Sequence, residues 1–430
     1  MKRGIYIISL ILVLQGQLYA QSGHAQPQAL SLEEAVQFAM KHNKELQASE
    51  LDIELRKKMI TESISQGLPQ VNASLDYSTN FGREMDFGGN ASIKMEDRSS
   101  LGVSVSQLLF NGQWIVGLKT SKIAKAVSEQ QVDINAQTIK ENVYNTYYTI
   151  LVTQRLVEIL ENNLANMSQI MEHTLNMYKA GTVEETDADQ IRITVGQLKN
   201  NLLSMERTLD VNYNLMRIQL GLQAGTPLEL TDSLDTFLGT DGLLALASKD
   251  FDINSNLDYQ LTLTQEKLQE KMVALQKWAF APSINASYSY QYLIKKGGFG
   301  SIPHTASVTM SIPVFSGLQR KALLDQEKIT LEQTLINKSL LEDNLKLQEE
   351  QYKFDLKNAL ENYNLQKDNV AVAQKVLESY RNKYKVGTIS SLDLTQANNN
   401  YLEAENNYTS ACLTLLEAQT QLLKLFNELK

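Results

Sequence analysis

The sequence predicts a mainly α-helical protein with a small β part, made of two repeats whose helices are too long for a globule. Three observations lead there. Two long stretches lack glycine and proline, four short segments alternate in hydropathy with period two, and matching motifs recur at a spacing of about 206 residues.

The breaker-free stretches are 118–180 and 318–386, and their Leu, Gln, Glu, Lys, Asn and Ala content favours helix. At 1.5 Å per residue such helices are about 95 and about 103 Å long. A globule of 430 residues has a diameter below about 60 Å. The molecule is therefore expected to be a rod or a tube. After Gly181, the residues Ile191, Val195, Leu198, Leu202, Met205 and Leu209 alternate in steps of four and three. After Gly387, Leu394, Ala397, Tyr401, Ala404, Tyr408, Ala411, Leu415, Ala418, Leu422 and Leu425 do the same. These are coiled-coil seams of alternating large and small side chains. In the first long helix Val143, Ile150, Val157, Leu164, Met171 and Tyr178 recur every seven residues and read as packing rather than as a cofactor box.

The four strand-like segments are 71–81, 101–106, 283–292 and 305–314. Apolar residues (Val71, Leu75, Tyr77; Val103, Val105; Tyr288, Tyr290; Val308, Met310) alternate with small polar ones, and Asp76 is the one charge. Period two gives one apolar and one hydroxylic face. The segments are expected to pair as two hairpins with polar loops at 82–98 and 293–301. Trp114 and Trp278 lie at the helical end of the hairpins. An aromatic belt at a membrane surface would sit there, and simple helix-to-strand packing explains each tryptophan as well.

Tyr178-Lys179-Ala180-Gly181-Thr182 matches Tyr384-Lys385-Val386-Gly387-Thr388, and Leu109-Phe110-Asn111-Gly112 matches Val314-Phe315-Ser316-Gly317. The expected organisation is a signal peptide over 1–20, a first repeat over 29–220, a linker or equatorial region over 221–254, and a second repeat over 255–430. The first repeat would hold strands near 69–81 and 99–110, a long helix near 118–180 and a return helix near 183–220. The second would hold strands near 282–294 and 302–315, a long helix near 318–386 and a return helix near 389–428.

Composition narrows the function. With 6 prolines and 21 glycines the chain is neither collagen-like nor proline-rich and disordered. A net charge of −9 without a basic block argues against nucleic acid as a partner. A single cysteine, Cys412, permits no internal disulfide and no cysteine-cluster metal site. The mean hydropathy of −0.26 argues against a helical polytopic membrane protein. Lys2 and Arg3, the apolar run Ile5 to Leu14 and the ending Leu18-Tyr19-Ala20 read as a secretory signal peptide, too short to span a membrane. No cysteine follows it to carry an N-terminal lipid.

A strand with lipid-facing residues cannot leave its edges open, because unpaired N–H and C=O groups in hydrocarbon each cost on the order of several kcal/mol. Four strands cannot close a barrel. If the hairpins enter a membrane, the chain must oligomerise: two copies give eight strands and a filled interior, three give twelve and a pore.

The residues Leu30-Ser31-Leu32-Glu33-Glu34-Ala35-Val36 with Asn43, then Leu68-Pro69-Gln70-Val71, then Gln107-Leu108-Leu109-Phe110-Asn111-Gly112, and the two Tyr-Lys-x-Gly-Thr turns occur in order. In these the sequence resembles the TolC-type outer-membrane channel proteins of Gram-negative bacteria, over about 29–427. Asn43-Lys44 stands where the family commonly has Asn-Pro. The resemblance implies a homotrimer with a 12-stranded β-barrel in outer-membrane lipid and a long α-helical barrel in the periplasm. It also implies docking to a periplasmic adaptor protein and, through it, to an inner-membrane pump.

Gly181 and Gly387 read as helix C-caps, and Thr182-x-x-Glu185 and Ser390-x-x-Asp393 as capping boxes for the return helices. The resemblance adds that these turns form the far mouth of the tube. By the same token Gly181, Thr182, Gly387 and Thr388 would dock the adaptor, and Asp393 would ring the aperture. Asp187 would hold the closed mouth, and Gln396 stands where the best-known member has a second acid. Arg192 and Arg381 lie close enough in sequence to pair with these acids.

No catalytic constellation is visible. His24, His42, His173 and His304 are scattered without ligand spacing, and Lys296-Gly297-Gly298-Phe299-Gly300 reads as a hairpin loop rather than a phosphate cradle. The chain is therefore expected to be no enzyme and to need no cofactor or metal. The leading reading is a passive outer-membrane exit duct of a tripartite efflux or type I secretion system, gated at its periplasmic mouth. The main alternative is an exported structural coiled-coil protein without channel activity. A periplasmic adaptor is disfavoured by two long-helix units with few strands, and a general diffusion porin by the helix content.

Overall fold

The computed structural model describes residues 28–79, 81–86, 92–94, 97–239, 242–295 and 302–429. The expected leader, His24 and the stretch Lys296 to Gly300 lie outside them. Chain order begins with β1 (Gln28–Leu30), α1 (Leu32–His42), α2 (Lys44–Ser65), β2 (Gln70–Ser78), β3 (Glu84–Asp86), β4 (Ser92–Lys94) and β5 (Arg98–Asn111). The long α3 (Gly112–Lys179), α4 (Glu185–Gln219), β6 (Leu228–Leu230), α5 (Leu234–Phe237) and α6 (Leu243–Ala247) follow. A single 3-10 turn (Ile253–Ser255) leads into α7 (Leu257–Trp278), β7 (Ser283–Lys295), β8 (His304–Ser311), α8 (Gln319–Lys385) and α9 (Ser391–Leu425).

Apart from the β3–β4 ribbon, residues 44–219 and 257–425 run through the same elements in the same order. Their helices match in length: 22 and 22 residues before the strands, 68 and 67 after them, 35 and 35 on the return. At 1.5 Å per residue, α3 and α8 are each about 100 Å long.

The strands β2, β5, β7 and β8 form one antiparallel sheet in that order. The two expected hairpins are joined side by side through β5 and β7. Register sorts the side chains into lateral rows: Val71, Val105, Tyr288 and Ala306 align across the sheet, and next to them Ser106, Ser287 and Ser307. One face is thus apolar and the other hydroxylic. The apolar face is uncovered, with Val71, Leu75, Tyr77 and Val308 each about two-thirds or more exposed. β2 and β8 are edge strands, each paired on one side only among the described residues.

Four details differ from the sequence reading. α3 starts at Gly112 rather than near 118, because Asn111 caps it at the end of β5 by accepting the Trp114 N–H at 3.1 Å. The stretch 82–98 contains a small paired ribbon, β3 with β4. β8 stops at Ser311, before Pro313, whose missing N–H cannot serve a ladder. The 221–254 segment is no plain linker: β6 pairs in parallel with β1, and α5 and α6 pack beside them.

Two apolar cores bind the helices. The larger lies at mid-height, where α1, α3, α8 and α9 meet around Tyr147, Ile150, Leu356 and Leu415. The smaller lies toward the turns, where Met167, Ile191, Leu377 and Leu394 converge. The α9 seam packs as read, with Leu394, Ala411, Leu415 and Leu422 buried. In α3 the seven-residue line holds at Val143 and Ile150, but farther along the buried line is Leu160, Asn163, Met167, Ile170 and Thr174, and Tyr178 is exposed. Polar residues occupy that part of the seam, so hydropathy periodicity picks out its apolar flank instead.

At the equator the Tyr147 hydroxyl lies 3.1 Å from the Leu30 carbonyl and 3.0 Å from Asp232 Oδ2, which also accepts the Leu32 N–H at 2.8 Å. Asn43 breaks α1 from α2. Its Oδ1 accepts the Glu45 and Leu46 N–H groups, and its Nδ2 donates to the Gln219 carbonyl at 2.7 Å. Just beyond, Gly221 has φ +70°, and a Cβ there would lie 2.1 Å from the His42 carbonyl oxygen.

Two stability predictions follow from these contacts. Gly221→Ala combines left-handed strain of about 1–2 kcal/mol with a backbone clash, so thermal unfolding followed by circular dichroism in detergent should show a loss above about 2 kcal/mol. Gly181→Ala has the strain but open space around it and should lose only about 1–2 kcal/mol. Equal losses would show that the His42 contact contributes nothing. Asn163 and Asn398 are buried with both polar atoms lacking a hydrogen-bond partner among the described residues. Such groups cost about 1–3 kcal/mol each, so Asn398→Leu should raise the unfolding midpoint, and a lowered midpoint would mean the amide is satisfied in solution.

Candidate pore mouth and membrane-facing sheet

The two turns that join long and return helices have the same backbone geometry. Gly181 (φ +71°) donates its N–H to the Tyr178 carbonyl at 2.9 Å, and Thr182 donates to Met177 at 3.0 Å. Gly387 (φ +73°) donates to Tyr384 at 2.9 Å, and Thr388 to Lys383 at 3.0 Å. This pairing closes the last carbonyls of a helix around a left-handed residue, which glycine adopts without a Cβ penalty. Each threonine adds its side chain: Thr182 Oγ1 donates to the Met177 carbonyl and Thr388 Oγ1 to the Lys383 carbonyl, both at 2.9 Å.

That use of Thr182 corrects one expectation. It does not cap α4; the N-cap is Glu184, with no side-chain cap bond. Its hydroxyl bonds backward to α3 instead of forward. The second expected box does form. Ser390 Oγ accepts the Asp393 N–H at 3.1 Å, and Asp393 Oδ2 accepts the Ser390 N–H at 3.2 Å and its hydroxyl at 2.7 Å.

The predicted aperture residues separate into two groups. Asp393 and Gln396 are exposed on one face of α9, and Gln396 Nε2 donates to Asn400 Oδ1 at 2.8 Å. Asp187 turns inward, where its Oδ1 accepts the Ser391 hydroxyl at 2.5 Å. That bond ties the start of α4 to the start of α9. An open cleft of about 410 Å³ lies between the turns, lined by Thr182, Asp187, Gly387, Ser391 and Tyr384. The arginines do not pair with these acids. Arg192 bonds Asp189 at 2.9 Å. Arg381 is half-buried, its Nε has no hydrogen-bond partner among the described residues, and burial lowers its pKa, opposed by nearby Glu378.

Sequence reasoning missed the roles of four residues at this junction. The Tyr384 hydroxyl lies 2.9 Å from Thr174 Oγ1, both residues buried, linking α8 to α3, and burial pushes the phenol pKa up. Thr194 and Thr395 meet at 3.4 Å between α4 and α9. Tyr178 occupies the matching motif position but is exposed, so the motif held no sign of which tyrosine turns inward.

The tryptophans sit where strands enter helices. Trp114 donates its indole N–H to the Ser63 carbonyl at 2.7 Å, and its ring covers Gly67. Trp278 covers Gly112, meets Phe110 edge-on at 6.4 Å and stays 44 % exposed. Trp114 is therefore engaged in packing, whereas Trp278 keeps a free flank beside the sheet. Among the described residues no His, Cys, Asp and Glu cluster could hold a metal, and no helix is long and apolar enough to cross a membrane. Cys412 is fully buried, and burial pushes its thiol pKa up to about 11, which leaves it inert at neutral pH.

A four-stranded sheet with one uncovered apolar face, continued by helices about 100 Å long, is the architecture of an elongated channel-type subunit. The chain belongs to the outer membrane efflux protein family, whose model matches residues 35–221 and 256–428. Among curated proteins it is similar to the outer membrane efflux protein BepC of Brucella suis, 22 % identical over 88 % of this chain and 83 % of that one. Among solved structures it resembles CusC, with a TM-score of 0.75 at 16 % identity over 95 % of each chain. It also resembles the open-state MtrE channel of Neisseria gonorrhoeae, with a TM-score of 0.72 at 18 % identity over 93 % of this chain and 89 % of that one.

The cross-tie between Tyr384 and Thr174 yields a prediction. Tyr384→Phe leaves Thr174 bonded to the Ile170 carbonyl at 2.8 Å and should cost about 1 kcal/mol. Amide hydrogen exchange should quicken in both turns, 177–183 and 384–390, rather than in one. Faster exchange confined to 384–390 would show that the hydroxyl does not couple the repeats.

Proposed function

We propose that the protein is the outer-membrane exit duct of a tripartite efflux or type I secretion system. It would act as a homotrimer, passive in itself and gated at its periplasmic mouth. The observation that carries this is the sheet: an uncovered apolar face together with two free edges, β2 and β8. In lipid those edges must be paired. Pairing β8 of one copy with β2 of the next through three copies closes a twelve-stranded barrel, wide enough for a pore. The hydroxylic face then lines the lumen, and the long helices continue the tube into the periplasm.

At the far end the paired turns (Gly181, Thr182, Gly387, Thr388) offer a rigid surface to a periplasmic adaptor, which joins the duct to an inner-membrane pump. Asp393 and Gln396 face the aperture. Asp187, through Ser391, holds the return helices together in the resting mouth, and opening requires that bond to break. Trp278 anchors the inner barrel rim in the lipid interface.

The test is single-channel conductance of the mature protein in planar bilayers, wild type beside Asp393→Ala. A small, cation-preferring conductance that loses its preference in the variant supports the duct with Asp393 on the pore. Unchanged selectivity in the variant removes Asp393 from the filter. A protein that stays soluble and elongated without detergent and never inserts would be an exported structural coiled coil instead.

A further inference from the structure

The two repeats share more than element order. Pro69 aligns with Pro282, and Phe110 with Phe315. Under these two alignments the β2–β5 pairing turns into the β7–β8 pairing, residue for residue. Val71 opposite Val105 becomes Ile284 opposite Met310. Ser74 opposite Gly102 becomes Ser287 opposite Ser307, and Tyr77 opposite Ser99 becomes Tyr290 opposite His304. The hairpins are thus copies in register.

The junction after each hairpin is not copied. β5 continues to Asn111, whereas β8 stops at Ser311 and leaves Ile312 to Ser316 irregular. Pairing explains the difference. β2 begins at Gln70, opposite Ser106, so Gln107 to Asn111 is held as strand from the β7 side alone. β7 begins at Ser283, opposite Ser311, so Ile312 to Ser316 has nothing to pair with on that side. Among the described residues no strand lies on its other side. The helix starts differ accordingly. Phe110 meets Trp278, Trp278 covers Gly112, and Asn111 caps α3. By contrast, Phe315 is 82 % exposed, and a Cβ at Gly317 would meet nothing within 4 Å. The N-cap of α8 is Leu318 at φ +70°, without a side-chain cap bond, a conformation that bulky residues rarely adopt.

The outer edge of β8 is fit to pair. The Gln291 N–H donates to the Pro303 carbonyl at 2.9 Å. In an antiparallel ladder, residues of one parity point both backbone groups at the same neighbouring strand. Pro303 and Pro313 therefore face β7, and neither removes a donor from the outer edge. His304, Ala306, Val308, Met310 and Ile312 present their N–H groups there.

We propose that β2 of the next copy completes β8 through Ser316, in the register that β5 and β7 already show within one chain. The inference rests on the trimeric duct reading and adds to it a register and a strand that one chain cannot finish. Carrying the β5–β7 pairs through the same two alignments sets Val308 opposite Tyr77 of the next copy, Met310 opposite Leu75 and Ile312 opposite Ala73. These pairs are apolar. Thr309 opposite Asp76 and Ser311 opposite Ser74 are polar, so both faces of the sheet continue across the seam. A slip of one residue would set apolar against hydroxylic side chains along its whole length. Beyond Ser311, Phe315 gains Val71 as its partner, and Ser316 gains Gln70. The start of α8, a helix about 100 Å long, is then set by a neighbouring chain, whereas α3 is set by its own.

The experiment places cysteine pairs in the full mature chain, oxidises them in the membranes of the producing cells and reads covalent species on denaturing gels. Cys412 is fully buried and stays in place. Ser74→Cys with Ser311→Cys reads the register, and Gln70→Cys with Ser316→Cys reads the completed strand. Asn72→Cys and Asp76→Cys, each with Ser311→Cys, read slips of two residues. β2 and β8 of one chain lie three strand spacings apart, about 14 Å, so no pair closes within its own chain. Opposite residues have Cα atoms about 5 Å apart, and a two-residue slip takes them to about 8 Å, beyond disulfide reach. The first two pairs should give covalent trimer, and the slipped pairs at least about tenfold less. Amide exchange of the unmodified assembly is the second reading: 312–316 should be protected as well as 107–111. Stronger linking from a slipped pair overturns the register and leaves the duct standing. Free exchange at 312–316, or an unlinked Gln70–Ser316 pair beside a linked Ser74–Ser311 pair, overturns the completion and also leaves the duct standing. No link from any pair in protein that inserts and folds overturns closure through these edges, and the trimeric barrel with it.

Discussion

Among the described residues, backbone groups along the outer sides of β2 and β8 have no partner strand, and the sheet they bound exposes an apolar face. In water that surface would drive aggregation. In hydrocarbon each unpaired N–H or C=O costs on the order of several kcal/mol. The remaining architecture answers that constraint. β5 and β7, the inner strands, unite the hairpins of the two halves, so one chain brings a single four-stranded unit with two equivalent edges. Lateral rows of like side chains keep apolar and hydroxylic faces apart through the middle of the sheet, as in Val71, Val105, Tyr288 and Ala306 beside Ser106, Ser287 and Ser307. Asn111 starts α3 with no intervening loop, and the strand-to-helix junctions are sealed by Trp114 over Gly67 and Trp278 over Gly112. The orientation of the sheet is thereby passed to a helix about 100 Å long.

Helices of that length cannot be held by one core. The apolar contacts concentrate at mid-height, where α1, α5 and α6 pack around α3, α8 and α9. Toward the turns the packing is thinner and its buried residues become polar: Asn163, Thr174, Thr194, Thr395 and Asn398. Bonds between the repeats there are made by hydroxyls and one carboxylate, as in Thr174 with Tyr384 and Ser391 with Asp187. Such bonds contribute about 1 kcal/mol each and can be exchanged for water. The equator is thus the apolar, more heavily packed part of the helical body, and the turns are held by fewer and more polar contacts.

Much of this was legible in the sequence because the signals were long or duplicated. Breaker-free stretches of 63 and 69 residues, five period-two residues in a row and a motif repeated at Gly181 and Gly387 each report one physical requirement many times over. What escaped was short or depended on partners far along the chain. β1 and β6 have three residues each, too few for a period, and pair across about 200 positions. The lower α3 seam escaped because Asn163 and Thr174 sit where the hydropathy pattern demands apolar residues. At the mouth, the Ser390–Asp393 box was readable because capping is local. The bonds of Thr182 back to Met177 and of Asp187 across to Ser391 were not. A threonine beside a helix end can serve the helix behind it or the one ahead, and sequence alone does not choose.

Duplication explains the backbone of this protein, and departures from it explain where its two halves part company. Gly181 and Gly387 share a φ near +70°, and the threonines after them share their bonds. Backbone requirements are the same in both turns, so both copies keep them. Side chains that face the surroundings carry no such requirement. Tyr178 faces solvent while Tyr384 is buried against Thr174. α4 mixes Arg and Lys with its acids, while α9 excludes cations until Lys424. A surface that meets bulk solvent or another subunit gains from mixed charge through local pairing. Mixed charge on α4 allows the Arg192–Asp189 pair at 2.9 Å, whereas the exposed acids of α9, Asp393 and Glu403, lie on a helix that holds no cation before Lys424.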